Sequence, residues 1–181
     1  MTDTRVLVLV GSLRADSVNR RLAEVLQASA PEGVSLEIAE GLGAIPFYNE
    51  EIDGETPPAA AVNLRQQVAA ADRVLVITPE YNGTMPAVLN NAIDWLSRPY
   101  GAGAIVGKPF AAVGTTPTPY GGKWSHEHAR HSATIAGAKV IDTVVLSQPG
   151  VEVDVLNDDE VLAKFRAAVA DLVAYRDDAA A

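Results

Sequence analysis

The segment VLVITPEYNGTMPAVLNNAIDWL, residues Val74 to Leu96, contains the change of state that decides the fold. Val74 to Ile77 is apolar throughout, without the polar alternation of a strand that faces water on one side, so both faces of this strand are expected to be covered. The run gives way to a polar turn bearing Pro and Gly, and from Ala87 to Leu96 apolar residues return at helical spacing. A covered strand feeding a helix through a turn is half of a parallel crossover unit.

The unit recurs along the chain. Apolar runs at Val6 to Val10, Phe110 to Val113 and Val140 to Leu146, and a weaker one at Val34 to Ile38, alternate with helical spacing at Val18 to Ala30, Pro58 to Ala70, Gly122 to Gly137 and Asp158 to Tyr175. Five strands alternating with five helices, joined by right-handed crossovers, predict an α/β fold of the flavodoxin-like type. This is a doubly wound three-layer sandwich on a five-stranded parallel sheet of order 2-1-3-4-5. Ligands in such a sheet bind beyond the carboxyl ends of the strands, at the switch point between strands 1 and 3. No repeat, low-complexity stretch or long linker divides the sequence, so residues 1–181 are expected to form a single domain, with Pro57 and Pro58 suited to a helix start and the tail YRDDAAA expected to fray.

Composition narrows the function. A chain of 181 residues that is 48% hydrophobic has material for a sizeable core, and 14 basic against 23 acidic residues give a net charge of −9. That field repels polyanions, so no nucleic-acid partner is expected. With no cysteine, disulfides, thiolate metal sites and thiol chemistry are excluded, and any redox chemistry needs a borrowed cofactor. No run approaches the roughly 20 apolar residues of a membrane span. The N-terminal VLVLVG is too short for a signal peptide, so a soluble cytoplasmic protein without a membrane partner is expected.

Three loops fall on the carboxyl edge. The first, within GSLRADSVNRRLA (Gly11 to Ala23), carries Ser12, Arg14, Ser17 and Asn19 around a helix start. Free amides and the positive end of the helix dipole favour an anion there, by roughly 0.3–1 kcal/mol for the dipole alone. Hydroxyls, an amide and a guanidinium add donors for a terminal phosphate. A plainer reading of Ser17 is a helix cap, with Arg14 a solvated charge. The loop has one glycine, which fails the G-x-G-x-x-G dinucleotide fingerprint, and the Walker A motif is absent. The second loop, PEYNGTMP, offers backbone, amide and phenol groups to the edge of a flat heteroaromatic ring; read plainly, it is a turn with Asn82-Gly83 at positive φ and Thr84 capping the helix. The third, VGTTPTPYGGKW, allows close backbone approach at Gly114, Thr115, Gly121 and Gly122.

Two other chemistries find little support. Ser12 lacks the G-x-S-x-G elbow of a serine hydrolase. In HEHARH the order H-E-x-x-H fails at Arg130, so His126, His128 and His131 read as a solvated or interface cluster and no metal site is expected.

Taken together, GSLRADSVNRRLA, IPFYNEEID, TPEYNGTMPAVLNNAIDWLSRP and GKPFAAVGTTPTPYGG resemble, in order, the NADPH-dependent FMN reductase family, the flavodoxin-like group that includes quinone, azo-dye and chromate reductases. The resemblance implies that Ser12, Arg14, Ser17 and Asn19 surround the FMN phosphate, that Pro79, Glu80, Tyr81, Asn82 and Gly83 hold the isoalloxazine and ribityl edge, and that Thr115, Gly121 and Gly122 face them. It implies hydride transfer from NADPH or NADH through FMN to a small-molecule acceptor such as a quinone, flavin, azo compound or chromate, in ping-pong use of one cleft. No catalytic side chain is then required, only a backbone donor near flavin N5, for which Asn82 and Gly83 are the candidates. It also implies a homodimer or homotetramer, with Ala87 to Leu96 and Trp95 at a subunit contact. The chain departs from the family pattern at Thr118, where a glycine is common, and in the helix after Gly122, which lacks the usual Ala-Gln followed by Leu and Arg. A flavodoxin-type electron carrier and a flavin-binding sensor without turnover remain the alternative readings.

Overall fold

The computed structural model describes residues 3–176; from Asp177 onward the tail expected to fray lies outside the described residues. Five parallel strands form one sheet: β1 (Thr4–Val10), β2 (Val34–Ile38), β3 (Arg73–Ile77), β4 (Pro109–Thr116) and β5 (Lys139–Pro149), in the order β2-β1-β3-β4-β5. The crossovers are α1 (Val18–Ala28), α2 (Ala59–Ala70), α3 (Ala87–Leu96) and α4 (Lys123–Ile135), and α5 (Asp159–Ala174) follows β5. Two single 3-10 turns, Leu42–Ala44 and Glu50–Ile52, interrupt the long β2–α2 connection.

Strand alternation sorts the core into two layers. Val6, Val8 and Val10 face α1 and α5 together with Leu75 and Ile77, whereas Leu7, Leu9, Val74 and Val76 face α2, α3 and α4. Both faces are buried, which is why the runs are apolar without alternation, and each buried Val or Leu contributes roughly 1.5–3 kcal/mol.

The helix limits follow from local chemistry. Ser17 Oγ accepts the Arg20 amide at 3.2 Å to start α1, and Asp158 Oδ1 accepts the Val161 amide at 2.9 Å to start α5. Helix α1 stops at Ala28, short of the expected Ala30, where Ser29 Oγ bonds back to the Val25 carbonyl and Pro31 cannot continue the turn. Helix α4 lies inside the expected 122–137 because Gly122 and Gly137 both take φ of 92°. At the carboxyl edge β4 and β5 run past their apolar cores through Thr116 and Pro149, so the ladder continues on polar residues.

Trp95 is a correction. It is fully buried within its own chain rather than set at a subunit contact: Nε1 donates to the Pro46 carbonyl at 2.9 Å, the Arg65 guanidinium lies 5.2 Å from its ring and Tyr48 meets it edge-on. Asn91 on the same helix accepts the Tyr48 amide and donates to the Pro46 carbonyl, and Arg65 grips Asp53 with two 2.7 Å bonds. The buried face of α3 therefore anchors the 46–53 connection of its own subunit. No helix among the described residues is long and apolar enough to cross a membrane.

Candidate functional site

A cavity of about 650 Å³ opens at the carboxyl edge, between the ends of β1, β3 and β4. One end is made by the β1–α1 loop and the first turn of α1, the other by Pro79 to Tyr81 and Thr115 to Thr118. A further wall, Gly150 and Val153 to Asn157, comes from the connection after β5. Sequence reasoning missed this wall because the segment carries no loop motif; only its place after the fifth strand could have signalled it.

Beneath the cavity four elements converge on Gly114. A Cβ there would meet the Thr78 carbonyl head-on and lie 2.9 Å from both Asn19 Oδ1 and His126 Nε2. Asn19 locks α1 to β4 with a reciprocal pair, Nδ2 donating to the Thr115 carbonyl at 2.9 Å and Oδ1 accepting the Thr115 amide at 3.0 Å. His126, with no exposed surface, bonds through Nε2 to the Thr78 carbonyl at 3.0 Å and through Nδ1 to Ser147 Oγ at 2.6 Å. A carbonyl only accepts, so Nε2 carries the proton and the Ser147 hydroxyl donates to Nδ1. Burial pushes the His126 pKa down to about 4, against a weaker upward pull from the Thr78 hydrogen bond.

The three histidines do not form one cluster. His126 is buried, His128 Nδ1 meets Thr84 Oγ1 at 2.8 Å, and His131 lies beside Asp94 and Arg98 at the α3–α4 face. The solvated reading therefore fails for His126, whose ring is held in the interior by two hydrogen bonds. Thr84 likewise does not cap α3, which starts from Pro86; it pairs with Tyr81 across the turn, and Asn82 and Gly83 at the tip take φ of 53° and 73°.

The expected site residues divide into groups. Ser12, Arg14, Ser17, Pro79, Glu80, Tyr81 and Thr115 line the cavity. Asn19 lines it too, but its side-chain amide is held by Thr115 through both its nitrogen and its oxygen, and Thr115 Oγ1 in turn donates to the Gln148 carbonyl at 2.7 Å. The Glu80 carboxylate accepts the Trp124 and Ser125 amides at 3.1 and 3.3 Å, capping α4 from outside. Asn82 and Gly83 sit beyond the lining at the turn tip. Gly121 and Gly122 also lie outside it: a Cβ on Gly121 would strike the β5 backbone, and Gly122 packs on His126. Arg21, one turn into α1, lines the cavity unanticipated.

The donor set fits FMN. Two hydroxyls, at Ser12 and Ser17, gather at one end with the Arg14 guanidinium, which has no partner among the described residues. The amides of Val18 and Asn19 also make no hydrogen bond among the described residues, as expected of a helix first turn. Such a set suits a phosphate, and a volume of about 650 Å³ lies within the range of cofactor pockets, roughly 300–1,000 Å³.

The family model described as NADPH-dependent FMN reductase matches residues 4–152. Similar proteins include a 2-hydroxy-1,4-benzoquinone reductase from Burkholderia sp, 39% identical over 145 residues that span 80% of this chain and 75% of that protein. A quinone reductase from Pseudomonas putida is 45% identical over 127 residues, 70% of this chain and 68% of the other. Among solved structures, a flavoenzyme NAD(P)H:(acceptor) oxidoreductase from Paracoccus denitrificans superposes with a TM-score of 0.80 at 31% identity, covering 94% of this chain and 96% of that one.

Proposed function

The chain belongs to the NADPH-dependent FMN reductase family, and from that premise we propose that it is an FMN-dependent NAD(P)H oxidoreductase acting on quinones or similar electron-poor acceptors, flavins, azo compounds and chromate among them. The observation that carries the reading is the two-ended cavity, with anion donors at the start of α1 and turn backbones at the other end. Bound there, FMN would supply the redox chemistry between NADPH or NADH and the acceptor.

The chain's own groups bind and orient. Ser12, Arg14, Ser17 and the Val18 and Asn19 amides hold the phosphate. Pro79 to Tyr81 would present backbone to the ring edge, and Asn82 and Gly83, at the turn tip beside that lining and without hydrogen-bond partners for their amides among the described residues, are the candidate backbone donors to the ring. Asn19, Glu80, Thr115, Gly121 and Gly122 act by fixing the walls that these groups stand on. The names of the Burkholderia and Pseudomonas relatives support a quinone as acceptor. A single domain in the cytoplasm, where NAD(P)H is at hand, suffices for this work.

The test is the visible spectrum of purified protein with FMN, followed anaerobically. Flavin bands that bleach with NADPH and return with a benzoquinone are the expected result. Bands that NADPH leaves oxidised would move the protein to the carrier or sensor class.

We propose the α3–α4 face as the subunit contact of a homodimer, or as one contact of a homotetramer. Tyr100 and Ile135 are 88% and 71% exposed there, around a cavity of about 480 Å³ whose rim carries Asp94, Arg98 and His131. Acid and bases on one patch suit a two-fold contact, in which each group meets its complement on the other copy. Ile135→Asp is expected to halve the mass seen by light scattering while leaving the far-UV spectrum unchanged; an unchanged mass would place the contact elsewhere.

A further inference from the structure

The chain has ten arginines. Eight are engaged: three with carboxylates, three with main-chain carbonyls, one with the Ser29 hydroxyl and one over the Tyr48 ring. The two side chains without a partner among the described residues, Arg14 and Arg21, line the same cavity. The two carboxylates in that lining are in the opposite condition. Glu80 takes the Trp124 and Ser125 amides, and Asp154 takes the Leu156 amide and the Asn157 side chain. In a protein of net charge −9, unpaired cations gathered in one cavity whose acids are all engaged mark the place of an anion from outside.

We infer that Arg21 is a second phosphate-binding residue, closing over the terminal phosphate of the flavin from one turn up α1 and making the site selective for the phosphorylated cofactor. The inference rests on the FMN reading above and extends it to a residue of the GSLRADSVNRRLA motif that its sequence does not single out. Its geometry follows from the helix. Arg21 stands four residues after Ser17, so the two share a face, and side chains in a helix lean toward its N-terminus, which carries the guanidinium back over Ser17. The neighbouring Arg20 is not available for the same task, because Glu24 holds it at 3.0 Å. Charge points the same way. Arg14 and the helix end together offset about one and a half charges, and a phosphate near neutral pH carries close to two.

The experiment measures dissociation constants for FMN and for riboflavin, by quenching of flavin fluorescence, in the wild type, Arg21→Gln and Arg21→Lys. Arg21→Gln is expected to weaken FMN by about 10- to 100-fold, the range for loss of a charge-assisted bond, and to leave riboflavin within about twofold. Arg21→Lys recovers part of the loss, since it keeps the charge without the planar fork. Equal weakening of both flavins, or of neither, overturns the assignment, as does a variant whose FMN affinity is intact while its KM for NADPH alone rises. A wild type that binds riboflavin as tightly as FMN removes the phosphate site itself, and with it the premise; a wild type that prefers FMN while Arg21→Gln keeps the full preference removes Arg21 alone.

Discussion

Gly114→Ala is expected to lower stability by roughly 3 kcal/mol or more and to abolish tight FMN binding, although the change adds one methyl group. The added carbon would run into the Thr78 carbonyl and stand 2.9 Å from Asn19 Oδ1 and His126 Nε2. None of these neighbours is free to move aside. The Thr78 amide donates to the Val113 carbonyl in the β3–β4 ladder, Asn19 is bonded twice to Thr115, and His126 is held from both ring nitrogens. Relief therefore requires separating β3 from β4 or lifting the start of α1 or α4, and each of these shifts a wall of the cavity. Gly54→Ala, where a Cβ meets nothing within 4 Å, is the control, with an expected change within about 0.5 kcal/mol. Urea unfolding and FMN titration read both effects. A Gly114→Ala protein that melts like its parent and binds FMN normally would show that the convergence beneath the cavity has room to relax.

That convergence also marks the limit of what the sequence discloses. Strands covered on both faces announce themselves, because Val6 to Val10 or Val74 to Ile77 admits little else, and the five-fold alternation with helices leaves few topologies. Limits were legible where one residue decides them, as at Pro58, whereas the cap of α3 was read at Thr84 although Pro86 sets its start. They were missed where strands extend on polar residues: Thr115, Ser147 and Gln148 continue β4 and β5 with hydrogen-bond partners in Asn19, His126 and Thr115, a fact of tertiary structure with no local signal.

The site shows the same division. The residue types around the α1 start indicate an anion wherever they stand, since helix ends and guanidiniums do so by themselves. Which members face the ligand and which hold the walls depends on partners distant in sequence. Asn19 and Thr115 are 96 residues apart, and Glu80 and Trp124 are 44 apart. Arg21 was missed because a basic residue beside another on an amphipathic helix reads as solvated; only the Arg20–Glu24 pair and the cavity wall single it out. His126 failed by the opposite route, since a histidine among His, Glu and Arg reads as surface, yet it is the one that turns inward.

His126 is expected to make folding stability fall steeply on mild acidification. Its pKa is near 6.5 in the unfolded chain and about 4 in the folded one, chiefly because burial disfavours the imidazolium, with Arg130 adding like-charge repulsion. Between those values the unfolded chain binds the proton and the folded one does not, so stability rises with pH. The contribution is complete above pH 6.5 and is lost as pH falls toward 4, by up to about 1.4 kcal/mol per unit and roughly 3 kcal/mol in all. Protonation would also leave Nδ1 donating toward Ser147 Oγ, reversing the bond that ties α4 to β5. Asp94 works in the other direction, because burial raises its pKa and acid then favours the folded state, and Asp53, held low by Arg65, contributes only at more acidic pH. A single pH profile mixes these effects, whereas the difference between wild type and His126→Gln isolates the imidazole. Glutamine can donate to Thr78 and accept from Ser147 but has no proton to gain. Urea midpoints from pH 7 to pH 4 should converge on or cross those of the variant, and FMN affinity should follow, because the bonds lost lie directly beneath the cavity. If the two profiles run parallel, the imidazole takes up its proton in the folded state as readily as in the unfolded one, and the floor of the site admits water that the packing around Gly114 denies it.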